Sequence, residues 1–157
     1  LRRAVVRNVQ VLVGGDESAL MALGARFGVV LVDAPCAGSG TWRRRPDSKW
    51  RLKPEALHAR QKDQADVLQL AATLVKPGGQ IVYVTCSVLP GENGDQIANC
   101  LKFRSDFTVQ PYAEVWRATL PGAPPRSADG RTDALQLTPA SHGTDGFYIA
   151  NLRRTAV

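Results

Sequence analysis

The chain has 157 residues, 44% of them apolar, enough to bury one globular core and too few for two. No apolar run approaches the roughly 18 residues that cross a bilayer, and Leu1 to Asn8 is too short and too interrupted for a secretory leader, so a soluble, cytoplasmic protein with no membrane partner is expected. A net charge of +6 suits a polyanionic partner, because neutralising phosphates releases condensed counterions.

Val9 to Val13 and Val29 to Val32 are short β-branched runs that end at Gly14-Gly15-Asp16 and Asp33-Ala34-Pro35, and they read as buried parallel strands. Between them Glu17 to Phe27 carries Leu20, Leu23 and Phe27 at helical spacing. A long helix follows, with Pro54 in its first turn, a face of Leu57, Gln61, Ala65, Leu68, Ala71 or Ala72 and Val75, and Pro77-Gly78-Gly79 as its stop. Gln80 to Thr85 is the next strand and delivers the chain to Cys86. An amphipathic helix is expected from about Glu92 to Arg104, strands at Phe107-Thr108-Val109 and Glu114-Val115-Trp116, a long loop over 121–145, and a last strand from Phe147 to Leu152.

Alternating strands and helices imply a mostly parallel sheet covered on both faces. Ligands of such sheets gather at the carboxyl ends of the strands. Asp16, Asp33 with Cys36, and Cys86 all fall at or just past such ends. Two thiols at one sheet edge could be a redox pair, part of a metal site, two members of a covalent cycle, or inert apolar filler. Cys36, Cys86 and Cys100 include no CxxC pair, which fits free thiols in a reducing compartment. With His58 and His142 added they still lack the close paired spacings of zinc sites, so no metal is expected. Cys100 lies on the apolar face of its helix and reads as core.

Several blocks occur in one order: Asp33-Ala-Pro35-Cys36-Ala-Gly-Ser-Gly40, Arg44-Arg45-Pro46-Asp47 with Lys49-Trp50, Gly78-Gly79 through Thr85-Cys86-Ser87 to Pro90, Glu92-Asn93, and Asp145-Gly146-Phe147. Together they resemble the motifs of the Sun-type (NSUN-like, RsmB-like) RNA cytosine-C5 methyltransferases, over most of residues 9–153. The resemblance implies a Rossmann-like class I methyltransferase α/β sheet, mostly parallel with a final antiparallel strand. It also implies S-adenosyl-L-methionine as cofactor and RNA, ribosomal before transfer RNA, as partner. By the same resemblance Cys86 attacks C6 of the base, Cys36 assists release of the adduct, and Asp33 contacts the base edge beside the cofactor. Asp16, Asp33 and Pro35 would line the cofactor, although Asp16 after two glycines could equally cap a helix.

The stretch from Trp42 to Arg51 interleaves two indoles with five cations. Arg43, Arg44, Arg45, Lys49 and Trp50 are the candidate RNA contacts, the cations for phosphates and the ring for stacking. The competing reading is a solvated loop whose Trp50 plugs the core.

A cofactor site of this kind also needs a glycine-rich turn after the first strand and an acid after the second, and neither is present before Asp16. The chain also opens without Met, on what reads as the end of a helix. The expectation is therefore that residues 1–157 are the C-terminal portion of a single methyltransferase catalytic domain, lacking its N-terminal strands. Such a piece would be inactive alone, bind the cofactor weakly, and be able to self-associate through the exposed sheet edge. Alternatives are a DNA cytosine methyltransferase using the Pro35-Cys36 thiol, which leaves Cys86 without a role, a non-catalytic RNA-binding module, and a thiol–disulfide protein, which the missing CxxC disfavours.

Overall fold

A computed structural model describes residues 8, 9, 12 and 17–156. The strand expected at Val9 to Val13 and the acid Asp16 therefore lie outside the described residues. The elements are α1 (Glu17–Met21), β1 (Phe27–Asp33), α2 (Ser48–Arg51), α3 (Pro54–Leu74), β2 (Val75–Thr85), α4 (Gly94–Phe103), β3 (Phe107–Gln110), α5 (Tyr112–Thr119), β4 (Ala134–Leu137), α6 (Pro139–His142) and β5 (Phe147–Arg154). No described helix is long and apolar enough to cross a membrane.

The described strands form one α/β sheet in the order β1-β2-β5-β3, with β4 also on β5. β1 and β2 pair in parallel, from Val29↔Gln80 to Asp33↔Val84. β5 runs antiparallel to β2, β3 and β4, so the other four strands share one direction and only the last is reversed. β3 faces residues 151–154 of β5 and β4 faces 147–150, so the two lie end to end along one edge. They act as a single strand interrupted by residues 111–133.

Ile81, Tyr83 and Thr85 alternate along β2 as fully buried side chains, the period-2 signature of a strand with a core face. They join Leu68, Ala71 and Ala72 of α3, Ile97 and Cys100 of α4, and Tyr148, Ala150 and Leu152 of β5. Tyr83 and Tyr148 meet edge to face, 6.4 Å between centroids, a favoured aromatic geometry.

Five expectations are corrected. The first helix ends at Met21, because the chain turns at Gly24, whose φ of 66° suits glycine, and Phe27 opens β1. α3 stops at Leu74, and Pro77-Gly78-Gly79 forms the irregular start of β2. Glu114 to Trp116 is helical, since Pro111 precedes a turn in which Tyr112, Val115 and Trp116 fall on one face. The expected loop 121–145 contains β4 and α6, because the edge of β5 beyond β3 recruits Ala134–Leu137. Cover on both faces fails at β1: Val29 is 55% and Leu31 67% exposed, as the packed helices among the described residues lie against the opposite side chains.

Candidate functional site

β1 and β2 are parallel neighbours, so their carboxyl ends open side by side. Ala34 N donates to Val84 O at 2.9 Å, carrying the pairing one residue past Asp33. The chain then turns through Pro35, Cys36 and Gly38, whose φ is 69°, into a single helical turn at Ser39–Thr41. β2 ends at Thr85 and leads into Cys86 and Ser87. Gly40 N donates to Cys86 O at 2.9 Å, and Val88 N to Ser39 Oγ at 2.9 Å. These bonds bring Cys36 Sγ to 3.2 Å from Cys86 Sγ.

The two thiols divide their proton unequally. The hydrogen bond from Cys36 holds the Cys86 thiol down at about 7, against burial and the negative charges of Asp33 and Glu92, which push it up. Cys36 is raised far above the usual thiol range, first by that same bond and then by burial. The two shifts make Cys86 the more acidic thiol of the hydrogen-bonded pair and Cys36 the less acidic.

Beneath the thiols lies a polar layer that sequence reasoning did not assign. Glu92 is 0% exposed. Its Oε1 accepts from Ala37 N at 2.7 Å and from Gln64 Nε2 at 3.1 Å, and its Oε2 from Ser87 Oγ at 2.6 Å. Gln64 also donates to Pro35 O at 2.8 Å, and the hydroxyls of Ser39 and Ser87 stand 2.9 Å apart. Asn93 donates to Ser87 O at 2.9 Å and to Gln136 Oε1 at 3.0 Å, while Gln136 donates to Phe147 O at 2.9 Å. Gln64, at i−4 from Leu68, is a polar residue on an apolar stripe; Gln61, which the sequence places on the helix face, instead lies against Gly91. Gln136 left no sequence signal, because β4 itself was not expected.

The residues named from sequence separate into two groups. Cys36, Cys86, Pro35 and Asp33 converge; the Asp33 side chain is exposed, makes no hydrogen bond or ion pair with described residues, and lies near enough for its charge to raise the Cys86 thiol. Asp16 lies outside the described residues. In the basic stretch Arg44 is held by Asp145, and Arg43 Nη2 is 3.9 Å from the same carboxylate. Arg45 makes no ion pair with described residues, and Lys49 sits 4.4 Å over the ring of Trp50. Trp50 is 80% exposed, so it does not plug the core. Cys100 does belong to the core, and burial raises its thiol.

Gly40 and Gly146 bind the loop to β5. Gly146 N donates to Gly40 O at 2.8 Å, and a Cβ on Gly40 would come within 2.7 Å of the Gly146 carbonyl carbon. Asp145, which holds Arg44, is the preceding residue, so one short segment fixes both the turn after Cys36 and the start of the basic stretch. An open groove of about 290 Å³ leads from Cys36 and Ala37 past Ser48, Arg51 and Leu52 to Arg60.

A family model described as 16S rRNA methyltransferase RsmB/F matches residues 1–153. The chain is similar to ribosomal RNA small subunit methyltransferase B of Shewanella oneidensis, 35% identical over 129 residues, which are 82% of this chain and 27% of that protein. It is also similar to a probable ribosomal RNA small subunit methyltransferase B of Bacillus subtilis, 37% identical over 129 residues, 82% of this chain and 28% of that protein. Among solved structures it superposes on NSun6 from Pyrococcus horikoshii with SFG, with a TM-score of 0.77 and 26% identity, covering 99% of this chain and 37% of that one. The chain thus spans only 27–28% of the length of these curated relatives.

Proposed function

The chain belongs to the RsmB/F family of 16S rRNA methyltransferases, and from that premise we propose that it carries the thiol chemistry of S-adenosylmethionine-dependent cytosine-C5 methylation in RNA, small-subunit ribosomal RNA being the substrate. The observation that supports this most is the pair of thiols on separate loops, 3.2 Å apart, with Cys86 held at the lower pKa.

C5 of cytosine is a weak nucleophile. Cys86 adds its electron pair to C6, forming a C–S bond and placing electron density on C5. S-adenosylmethionine, when bound, supplies an electrophilic methyl group at that carbon. Solvent then takes the C5 proton, the C5–H electron pair forms the C5–C6 double bond, and the C–S bond breaks with its pair returning to sulfur as the Cys86 thiolate. Cys36, within hydrogen-bond reach of the leaving sulfur, assists that release.

Asp33 and Pro35 suit one edge of the cofactor. Asp33 is an acceptor unpaired by described residues beside Cys86, fit for the donors of the cofactor or the exocyclic amine of the base, and Pro35 offers an apolar flank. An analogue of S-adenosylmethionine accompanies the Pyrococcus horikoshii NSun6 structure, which supports this assignment. Arg45, Lys49 and the open ring of Trp50 bring phosphate and stacking partners to the unpaired strand, with the groove beside Cys36 as the approach.

The test is covalent trapping of the protein on RNA containing 5-fluorocytosine with S-adenosylmethionine. Fluorine cannot leave C5 as a proton does, so the adduct persists. A peptide cross-linked at Cys86 is expected. A link at Cys36 would reverse the two thiol roles, and no link at all would leave an RNA-binding module without turnover.

A further inference from the structure

We propose that Glu92 is a positioning residue for methyl transfer, a buried carboxylate that ties the Cys36 loop to the Cys86 loop and thereby keeps the two sulfurs in contact. The inference rests on the covalent reading above and adds a residue outside the reacting pair.

Glu92 divides its two oxygens between the loops. Oε1 takes the backbone N–H of Ala37, directly after Cys36, and the amide of Gln64, which also holds the Pro35 carbonyl directly before it. Oε2 takes the hydroxyl of Ser87, directly after Cys86. Ser87 in turn meets Ser39, and the Glu92 carbonyl accepts from Tyr83 OH at 2.7 Å, anchoring the acid to the middle of β2. Every side-chain bond of this carboxylate therefore ends on a residue adjacent to one of the two cysteines or on Gln64, which clamps the same turn. A buried acid serving only stability could make its bonds anywhere in the core. Nor is it itself part of the reaction, since it is sealed from solvent and its oxygens are engaged by Ala37, Gln64 and Ser87.

The sign of one measurement separates positioning from mere proximity. The groups acting on the Cys86 thiol are Cys36, Asp33 and Glu92, with Arg44 coupled to it more weakly. The bond from Cys36 is the largest of these and lowers the thiol, whereas the charge of Glu92 raises it. If Glu92 acts only as a nearby charge, Glu92→Gln moves the Cys86 midpoint below about 7. If it holds the sulfurs together, the bond is lost and the midpoint rises.

The protein is made as Glu92→Gln, Ser87→Ala and Cys86→Ser. Each is assayed for kcat and KM on RNA, and the parent, Glu92→Gln and Ser87→Ala also for the pH profile of Cys86 alkylation by iodoacetamide, mapped by peptide mass. Glu92→Gln is expected to raise the midpoint and to lower kcat roughly 10- to 100-fold, the scale of ångström misplacement, with KM for RNA nearly unchanged. Ser87→Ala, a smaller cut in the same linkage, should shift both quantities in the same directions, and it decides the matter if Glu92→Gln does not fold. A midpoint that falls or stays, a kcat near the parent's, or a loss carried by KM overturns the proposal. Methylation surviving in Cys86→Ser would refute the covalent reading itself, a separate failure.

Discussion

Replacing Cys36 by alanine removes the hydrogen-bond partner that lowers the Cys86 thiol. What remains around Cys86 is burial and the charges of Asp33 and Glu92, all of which raise it, against a backbone hydrogen bond that lowers it. Its midpoint is therefore expected to return from about 7 to the ordinary 9.0 or above. At pH 7 the parent would be about half thiolate and the variant about 1%, roughly fiftyfold less. A thiolate of higher pKa is intrinsically the better nucleophile, by about eightfold over two units, so the net slowing is about sixfold. Above about pH 9.5 both are largely ionised and the order inverts, with the variant about sixfold faster. The assay is iodoacetamide labelling from pH 6 to 10, read at the Cys86 peptide. The reasoning fails if the two profiles run parallel, or if Cys36 is the site labelled first in the parent at neutral pH.

Gly40→Ala is expected to cost about 2–3 kcal/mol, at the upper end of overpacking, because its Cβ would meet backbone atoms of Gly146; a urea midpoint unchanged within error would contradict this. Trp50→Ala should weaken single-stranded RNA binding by about 1–3 kcal/mol, the value of one stacked base, without altering the urea midpoint, as the ring is 80% exposed. In salt titrations of that binding Arg45→Ala should reduce the slope by about 0.7, one phosphate contact on a single strand. Arg44→Ala should reduce it less, its guanidinium being held by Asp145. Diamide should join Cys36 to Cys86, since the sulfurs need close only from 3.2 Å to the roughly 2.05 Å of a disulfide; intact mass should fall by two hydrogens and recover with dithiothreitol.

The parts of this protein that could be read from sequence are those fixed by local pattern. Val29 to Asp33 and Gln80 to Thr85 are β-branched runs, and the residues that follow, Pro35 with Gly38 and Cys86 with Ser87, mark their ends. Parallel neighbours then place Cys36 and Cys86 at one edge by topology alone. α3 was legible because 21 residues give several turns of helical period. Glu114 to Trp116 gives no helical signal because three residues carry no period, and β4 gives no strand signal because Ala134–Leu137 owes its extended form to the edge of β5, 10 or more residues away in the chain.

The two thiols and the basic, indole-bearing stretch were determined by sequence, since residue type and order suffice to identify them. Which thiol is the more acidic, which arginines are ion-paired, and what holds the loops together are decided by the tertiary structure alone. Each depends on distances between segments far apart in the chain: 50 residues from Cys36 to Cys86, 101 from Arg44 to Asp145, and 55 from Ala37 to Glu92. A buried carboxylate acquires its role only from the donors that folding brings to it, and no spacing within Pro90-Gly91-Glu92-Asn93 encodes which donors those will be.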